Sequence, residues 1–163
     1  IQWIPGASGV WRPHNVGEVL IRGAETELEA ELWHRGETRV ALGASGTYLD
    51  ARDRTGEPNV DGRRLVYRPE WSGTGRLLLD LPLLGGIETG WQYVGDTFVT
   101  DANTKVLPAH WQGEVRWRRP LSPAVRIDAA VTNVLDARAR DFRDYPLPGR
   151  SWQLGLTWSG GSR

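Results

Sequence analysis

The chain has 163 residues and a formal net charge of zero, with Asp and Glu balancing Lys and Arg, so no global field draws it to nucleic acid or to an anionic surface. It has no cysteine, which excludes a disulfide framework, a zinc–thiolate site and thiol chemistry, and no run of roughly eighteen apolar residues, which excludes a membrane-spanning helix. Twenty glycines, and nine tryptophans beside two phenylalanines, point to many turns and to interfacial aromatics.

The first residues, Ile1, Gln2, Trp3 and Ile4, read as the tail of a strand with no initiator Met or secretory leader before them, and point to a piece of a longer protein. After a connection over 5–16, residues 24–32 alternate strictly: Ala24, Thr26, Leu28, Ala30 and Leu32 against Glu25, Glu27, Glu29 and Glu31. A helix would scatter those glutamates round its cylinder and leave no apolar stripe, so the period of two predicts a strand. Alternation returns over 38–50 on Val40, Leu42, Ala44 and Tyr48, over 77–81 on Leu77, Leu79 and Leu81, and over 87–93 on Ile87, Trp91 and Tyr93. Leu107, Ala109, Trp111, Val115 and Trp117 face away from His110, Gln112, Glu114, Arg116 and Arg118. Val125, Ile127, Ala129 and Val131 make the next strand, and Trp152, Leu154, Leu156 and Trp158 the last. About seven strands and the N-terminal stub result.

The connections alternate in length. Long ones over 5–16, 51–68, 100–106 and 136–148 are separated by short ones over 34–37, 82–86 and 120–123. A soluble Greek-key sandwich gives no reason for that segregation, whereas an up-and-down barrel in an outer membrane has short turns at one end and long loops at the other. Trp33, Trp91, Trp117 and Trp158 lie near strand ends, where an interfacial indole keeps its ring among headgroups and its N–H wet. Hydrocarbon leaves no backbone group unpaired, so about seven strands need further strands to close. A glutamate column suits a wide, wet lumen better than the filled lumen of an eight-stranded barrel. The readings are therefore an antiparallel, all-β, up-and-down transmembrane barrel of which these are about 7–8 strands, a complete small outer-membrane barrel with a structural or adhesion role, or a soluble β-barrel binding protein.

Asn133-Val134-Leu135-Asp136, then Asp141-Phe142, then Tyr145-Pro146-Leu147-Pro148-Gly149-Arg150 ahead of a final alternating strand, resemble the ending of the TonB-dependent outer-membrane receptors. Gln2-Trp3-Ile4-Pro5, Asn15-Val16-Gly17, Ile21-Arg22-Gly23-Ala24-Glu25 and Arg68-Pro69-Glu70-Trp71 are similar to stretches upstream in the same barrels. The resemblance spans nearly the whole chain. It implies that residues 1–163 are the C-terminal part of a barrel of about twenty-two strands whose plug domain is not in this sequence. It also implies a multi-pass protein of the Gram-negative outer membrane, surrounded by lipid, that imports a metal chelate such as an iron-siderophore or cobalamin, energised by TonB through the plug. The family ends on an aromatic, which Trp158 supplies, although Ser159-Gly160-Gly161-Ser162-Arg163 follow.

Motifs for catalysis are lacking. Gly43-Ala44-Ser45-Gly46 lies within a strand rather than on a strand-to-helix elbow, and Gly73-Thr74-Gly75 has Leu78 where a dinucleotide fingerprint needs glycine. The one lysine, Lys105, is in no phosphate-binding motif, and His14, His34 and His110 are too far apart for a metal spacing. No enzyme, cofactor or metal site is expected. The long loops carry charge: Asp50, Arg52, Asp53, Arg54, Glu57, Asp61, Arg63 and Arg64 in one, Arg138, Arg140, Asp141, Arg143 and Asp144 in another. Arginine forks match carboxylate, catecholate and phosphate groups, and His14 lies in a long loop where an imidazole could touch a metal chelate, so His14, Arg52, Arg54, Arg63, Arg138, Arg140 and Arg143 are the candidate ligand contacts.

Overall fold

A computed structural model describes residues 2–5, 10–14, 17–140 and 145–160, with backbone alone for 2–5 and 14. All of its regular elements are strands: β1 (Gln2–Pro5), β2 (Trp11–His14), β3 (Val19–Arg35), β4 (Thr38–Asp53), β5 (Trp71–Leu81), β6 (Gly85–Val94), β7 (Thr97–Phe98), β8 (Val106–Leu107), β9 (His110–Ser122), β10 (Val125–Thr132) and β11 (Ser151–Trp158). Seven of them form one antiparallel sheet in the order β11-β10-β9-β6-β5-β4-β3. That order is an uninterrupted meander apart from the small β7–β8 hairpin, which hangs from the β6–β9 connection. The sheet does not close on itself, and β3 and β11 each pair along one edge.

Several boundaries differ from the sequence reading, each for a local reason. The connection over 5–16 contains β2, which pairs with β1 as a separate hairpin. β5 starts at Trp71 rather than 77: Ser72, Gly73 and Gly75 have weak strand propensity, and residues 72–75 are held by pairing with Thr47, Gly46, Ser45 and Ala44. Leu107 leaves the strand to which alternation assigned it: Pro108 lacks an N–H for the ladder, so β8 ends at Leu107, pairs with Thr97, and β9 begins at His110. In β3 a bulge between Glu31 and Trp33 resets the parity. It places Trp33 opposite Val40, on the apolar side, where strict alternation would have set it among the glutamates.

Register then separates two faces. One carries Leu28, Ala44 and Tyr48, Trp71, Leu77 and Leu79, Ile87, Trp91 and Tyr93, Trp111, Val115 and Trp117, Ala129 and Val131, and Trp152, Leu154, Leu156 and Trp158. The other carries most of the carboxylates, arginines, hydroxyls and amides, with Arg22, Asp50 and Arg52 on the apolar side toward the loops. Almost nothing covers the apolar face: on β11 alone Trp152, Leu154, Leu156 and Trp158 are 71–79% exposed. The total surface is 11564 Å², against about 8,100 Å² for a compact monomer of this mass. A soluble protein rarely exposes an apolar patch beyond a few hundred Å². A soluble barrel would instead converge its leucines on a dry centre, and the reverse is observed. The buried apolar residues, Ala51, Val66, Val99, Leu107 and Ala139, lie in and beside the long connections, so the small core belongs to the loops.

Aromatic side chains frame the apolar face. Tyr48 and Trp71 pack at 4.7 Å between ring centroids and Tyr93 and Trp111 at 5.0 Å, all at the loop end together with Trp152. From Tyr48 that line drops six residues down β4 to Leu42, whose ladder row runs through Leu77, Thr89, Val115 and Val131 to Trp152. Six residues at ~3.3 Å over five strand spacings of ~4.8 Å give a slope of about 40°. A barrel strand tilts by about 35–45°, so the line is level when the strands are tilted as they are in membranes.

Candidate functional site

The polar face is banded from one end to the other. Nearest the loops, one ladder row is Glu25, Thr47, Ser72, Val94 and His110, and the next is Glu27, Ser45, Thr74, Gln92 and Gln112. Apart from the two edge glutamates these rows offer hydroxyl, amide and imidazole groups, and Ser45 Oγ lies 2.7 Å from Thr74 Oγ1. Toward the short turns the rows become ionic. Arg76 extends across Gly43 to donate to Glu29 at 3.3 Å, Arg39 donates to Glu31 at 2.8 Å, and Arg116 to Glu114 at 3.1 Å. Asp128 takes both Arg126 at 3.0 Å and Arg118 at 3.4 Å. These pairs are exposed, so each contributes up to ~1 kcal/mol. Together they offset part of the wall's negative charge and keep it hydrated, while Glu25, Glu27, Asp80 and Glu88 on the same face are in none of these pairs.

This face is the concave one. Glu27 and Glu29 of β3, Arg76 of β5, Gln92 of β6 and Gln112 and Glu114 of β9 line a single cavity of about 650 Å³. Toward the loops a second cavity of about 360 Å³ shares Gln92 and Gln112 with it, and adds Tyr67, His110, Arg140 and Leu147. A polar molecule entering from the loop end meets first tyrosine, imidazole and guanidinium, then amides and hydroxyls, then the ion-paired floor.

Loop contacts fix the mouth. The Tyr67 N–H donates to Phe98 O at 2.8 Å, and the Arg64 N–H to Asn103 Oδ1 at 2.8 Å, while Asn103 Nδ2 donates back to Arg64 O at 2.9 Å. The Arg64 guanidinium pairs with Glu70 and lies 5.9 Å from the Phe98 ring centroid. These groups dock the β4–β5 connection on the β7–β8 hairpin. On the other side Asn133, buried at φ 49°, accepts from the Ala137 N–H at 2.9 Å and donates to Ala137 O and Pro148 O at 3.0 Å each. The Asn133 amide therefore builds the loop, with both of its N–H donors directed at loop carbonyls.

The candidate contacts scatter. Arg140 lines the mouth cavity. Arg52 lies on the apolar side of β4, donating to Asp50 Oδ1 at 2.8 Å and to Gly62 O at 3.2 Å. Arg54, Arg63 and Arg138 are exposed and do not line the mouth cavity. The backbone of His14 pairs with Gln2, and Arg143 lies outside the described residues. Among the aromatics, Trp33, Trp117 and Trp158 lie toward the short turns, with Trp117 Nε1 donating to Leu84 O at 2.6 Å. Trp91 is two residues further from the loops than Tyr93 and covers Gly113, where a Cβ would come within 2.5 Å of its ring. Tyr67, Gln92 and Gln112 escaped the sequence reading because a tyrosine in a loop and amides on a strand carry no motif. Among the described residues no group of three His, Asp or Glu is placed to hold a metal ion.

A hydrated concave wall, a lipid-compatible convex wall and loops packed at one end are the parts of a large outer-membrane barrel. Residues 1–157 match the model of the TonB dependent receptor-like β-barrel. The chain belongs to the TonB-dependent receptor β-barrel family. Its members are receptors of the outer membrane and not enzymes. The chain is similar to the siderophore receptor PiuA from Acinetobacter baumannii, with a TM-score of 0.75 and 20% identity over 96% of this chain and 24% of that one. It is also similar to the ferric-catecholate import receptor Fiu from E. coli K12, with a TM-score of 0.67 and 17% identity over 96% of this chain and 23% of that one. At these identities the likeness is one of fold. The chain spans about a quarter of the length of either structure. No curated protein sequence matches it.

Proposed function

We propose that this TonB-dependent receptor chain is the C-terminal portion of the barrel of an outer-membrane importer for a metal chelate, with TonB engaged through a plug domain that other residues supply. One observation carries the reading: a single sheet presents an uncovered apolar face framed by a level aromatic line, and a concave, polar, ion-pair-laced face opposite. Lipid is the solvent for the first and an aqueous lumen for the second. An iron-siderophore is the favoured chelate, since the two similar structures are a siderophore receptor and a ferric-catecholate receptor. Its polar periphery would meet Tyr67, His110 and Arg140 at the mouth, with Arg54, Arg63 and Arg138 further out on the loops.

The test uses the full-length receptor in a strain lacking its other chelate receptors, fed ferric catecholates, ferric hydroxamates or cobalamin one at a time. Growth on one iron chelate, lost without TonB, is the expected result. Arg140→Ala should weaken that chelate's binding about tenfold at unchanged surface expression, the loss of one charge-assisted hydrogen bond. Growth on every source independent of TonB overturns the proposal.

A further inference from the structure

We infer that the outward face holds one phosphate-bearing acyl lipid in a built site, its phosphate at Arg22 and Arg52 and an acyl chain in a glycine-floored groove below Trp71. The inference rests on the membrane-barrel reading proposed above. Two observations meet there.

The groove has a volume of about 390 Å³, is mostly apolar, and is bounded by Trp71, Trp91, Tyr93 and Trp111 with Gly73 and Gly75 among its lining. Elsewhere larger side chains surface this face, Leu77, Leu79, Ile87, Val115, Trp117 and Leu154 among them. At Gly75 a Cβ would find nothing nearer than Trp91 Cβ at 4.0 Å, so the depression is real space beside the indole. Because the Tyr93 and Trp111 rings mark the outer interface, the groove opens at the depth of acyl chains. An acyl chain is the occupant available at that depth.

Charge lies toward the loops and to one side, on β3 and β4. Arg22 is on the apolar face of β3, paired in register with Asp50, two residues nearer the loops than the Ala24–Tyr48 pair. Its side chain is exposed and makes no hydrogen bond or ion pair with any described residue. Arg52 is on the same face, already donating to Asp50 and Gly62 O. Two guanidinium groups against one carboxylate leave a net positive charge at headgroup height, on the two strands beside β5, whose axes lie about 5 and 10 Å across the sheet from it. Arginine forks bind phosphate in this setting. The same parity that removes Arg52 from the lumen places it toward the lipid.

The experiment compares the full-length receptor, purified in mild detergent from outer membranes, with its R22A, R22K, G75L and L156A variants by native mass spectrometry. Diphosphorylated lipid A, dephosphorylated lipid A and inorganic phosphate are the probes. Wild type should retain one diphosphorylated lipid A, and R22A should lower its occupancy about tenfold, with R22K restoring much of it. R22A should also remove the preference for the phosphorylated form. G75L, which fills the groove, should lower retention of both lipids while keeping that preference. L156A, outside the groove, should match wild type, and inorganic phosphate should displace nothing. Equal retention in all variants overturns the site, as does a second protein copy shielding the groove in place of lipid. Heat-modifiable migration of each variant is measured alongside. Barrels that migrate normally yet retain lipid equally overturn the lipid site alone, whereas a wild type without heat-modifiable migration overturns the membrane reading beneath it.

Discussion

Two asparagines show how much of the loop structure depends on single side chains. Asn103, at φ 56°, both accepts from and donates to the backbone of Arg64, which lies 39 positions away. No local pattern in the sequence could disclose that partner. Asn133 was legible as a turn former, because Asx side chains satisfy nearby backbone groups and tolerate positive φ. Its link to Pro148, across the following loop, was not. Asn103→Ala would strip both Arg64 backbone groups of their partner and should cost about 1–2 kcal/mol locally. The expected readout is faster hydrogen exchange and proteolysis confined to the β4–β5 and β6–β9 connections, with strand protection unchanged. Protection lost throughout the sheet would contradict a local clamp. Arg39→Ala, by contrast, removes one exposed ion pair with Glu31 and should change unfolding by less than ~1 kcal/mol.

At the scale of the element, period-two alternation was the most legible signal, and it failed where the backbone leaves ideal pairing. β11 matches its sequence pattern from Ser151 to Trp158, since nothing in it opposes a strand. β3 does not stay in phase past Glu31, because a bulge adds a residue that no period can announce. The glycine-rich start of β5 was silent since its pairing comes from β4 and not from its own propensity. The two faces of β11 give a direct test. Leu154→Arg puts a guanidinium near the middle of the stretch between Trp152 and Trp158 on the apolar face, and should destabilise the full-length barrel in lipid by about 2–4 kcal/mol. Gln153→Arg, one residue away but on the face of Ala130, should be nearly neutral. Urea unfolding in vesicles distinguishes them, and equal costs at the two positions would show that both faces meet the same solvent.

For the whole molecule, what the sequence could not supply is the side of the sheet that is concave, because parity separates two faces without saying which is enclosed. Curvature supplies it: residues on six adjacent strands from β3 to β10 can line one cavity only if the polar face curls inward. The absence of cysteine from this chain makes that geometry measurable in the full-length receptor, once any cysteines outside these residues are replaced. Along β4, single cysteines at Ser45 and Thr47 should react with a charged, membrane-impermeant maleimide entering the lumen, and those at Ala44 and Leu42 should be protected by lipid. Crossing to β3 the pattern should continue at Glu27 and Glu29, then change parity after Glu31, so that Trp33→Cys is lipid-protected and His34→Cys reacts. A helical or uniformly exposed segment gives no alternation at all, and an inward-packed soluble barrel gives the same alternation in water with no dependence on lipid. Alternation that is present in vesicles, with the parity change at the bulge, and that collapses when the receptor is moved to a short-chain detergent is the outcome a membrane-seated wall requires.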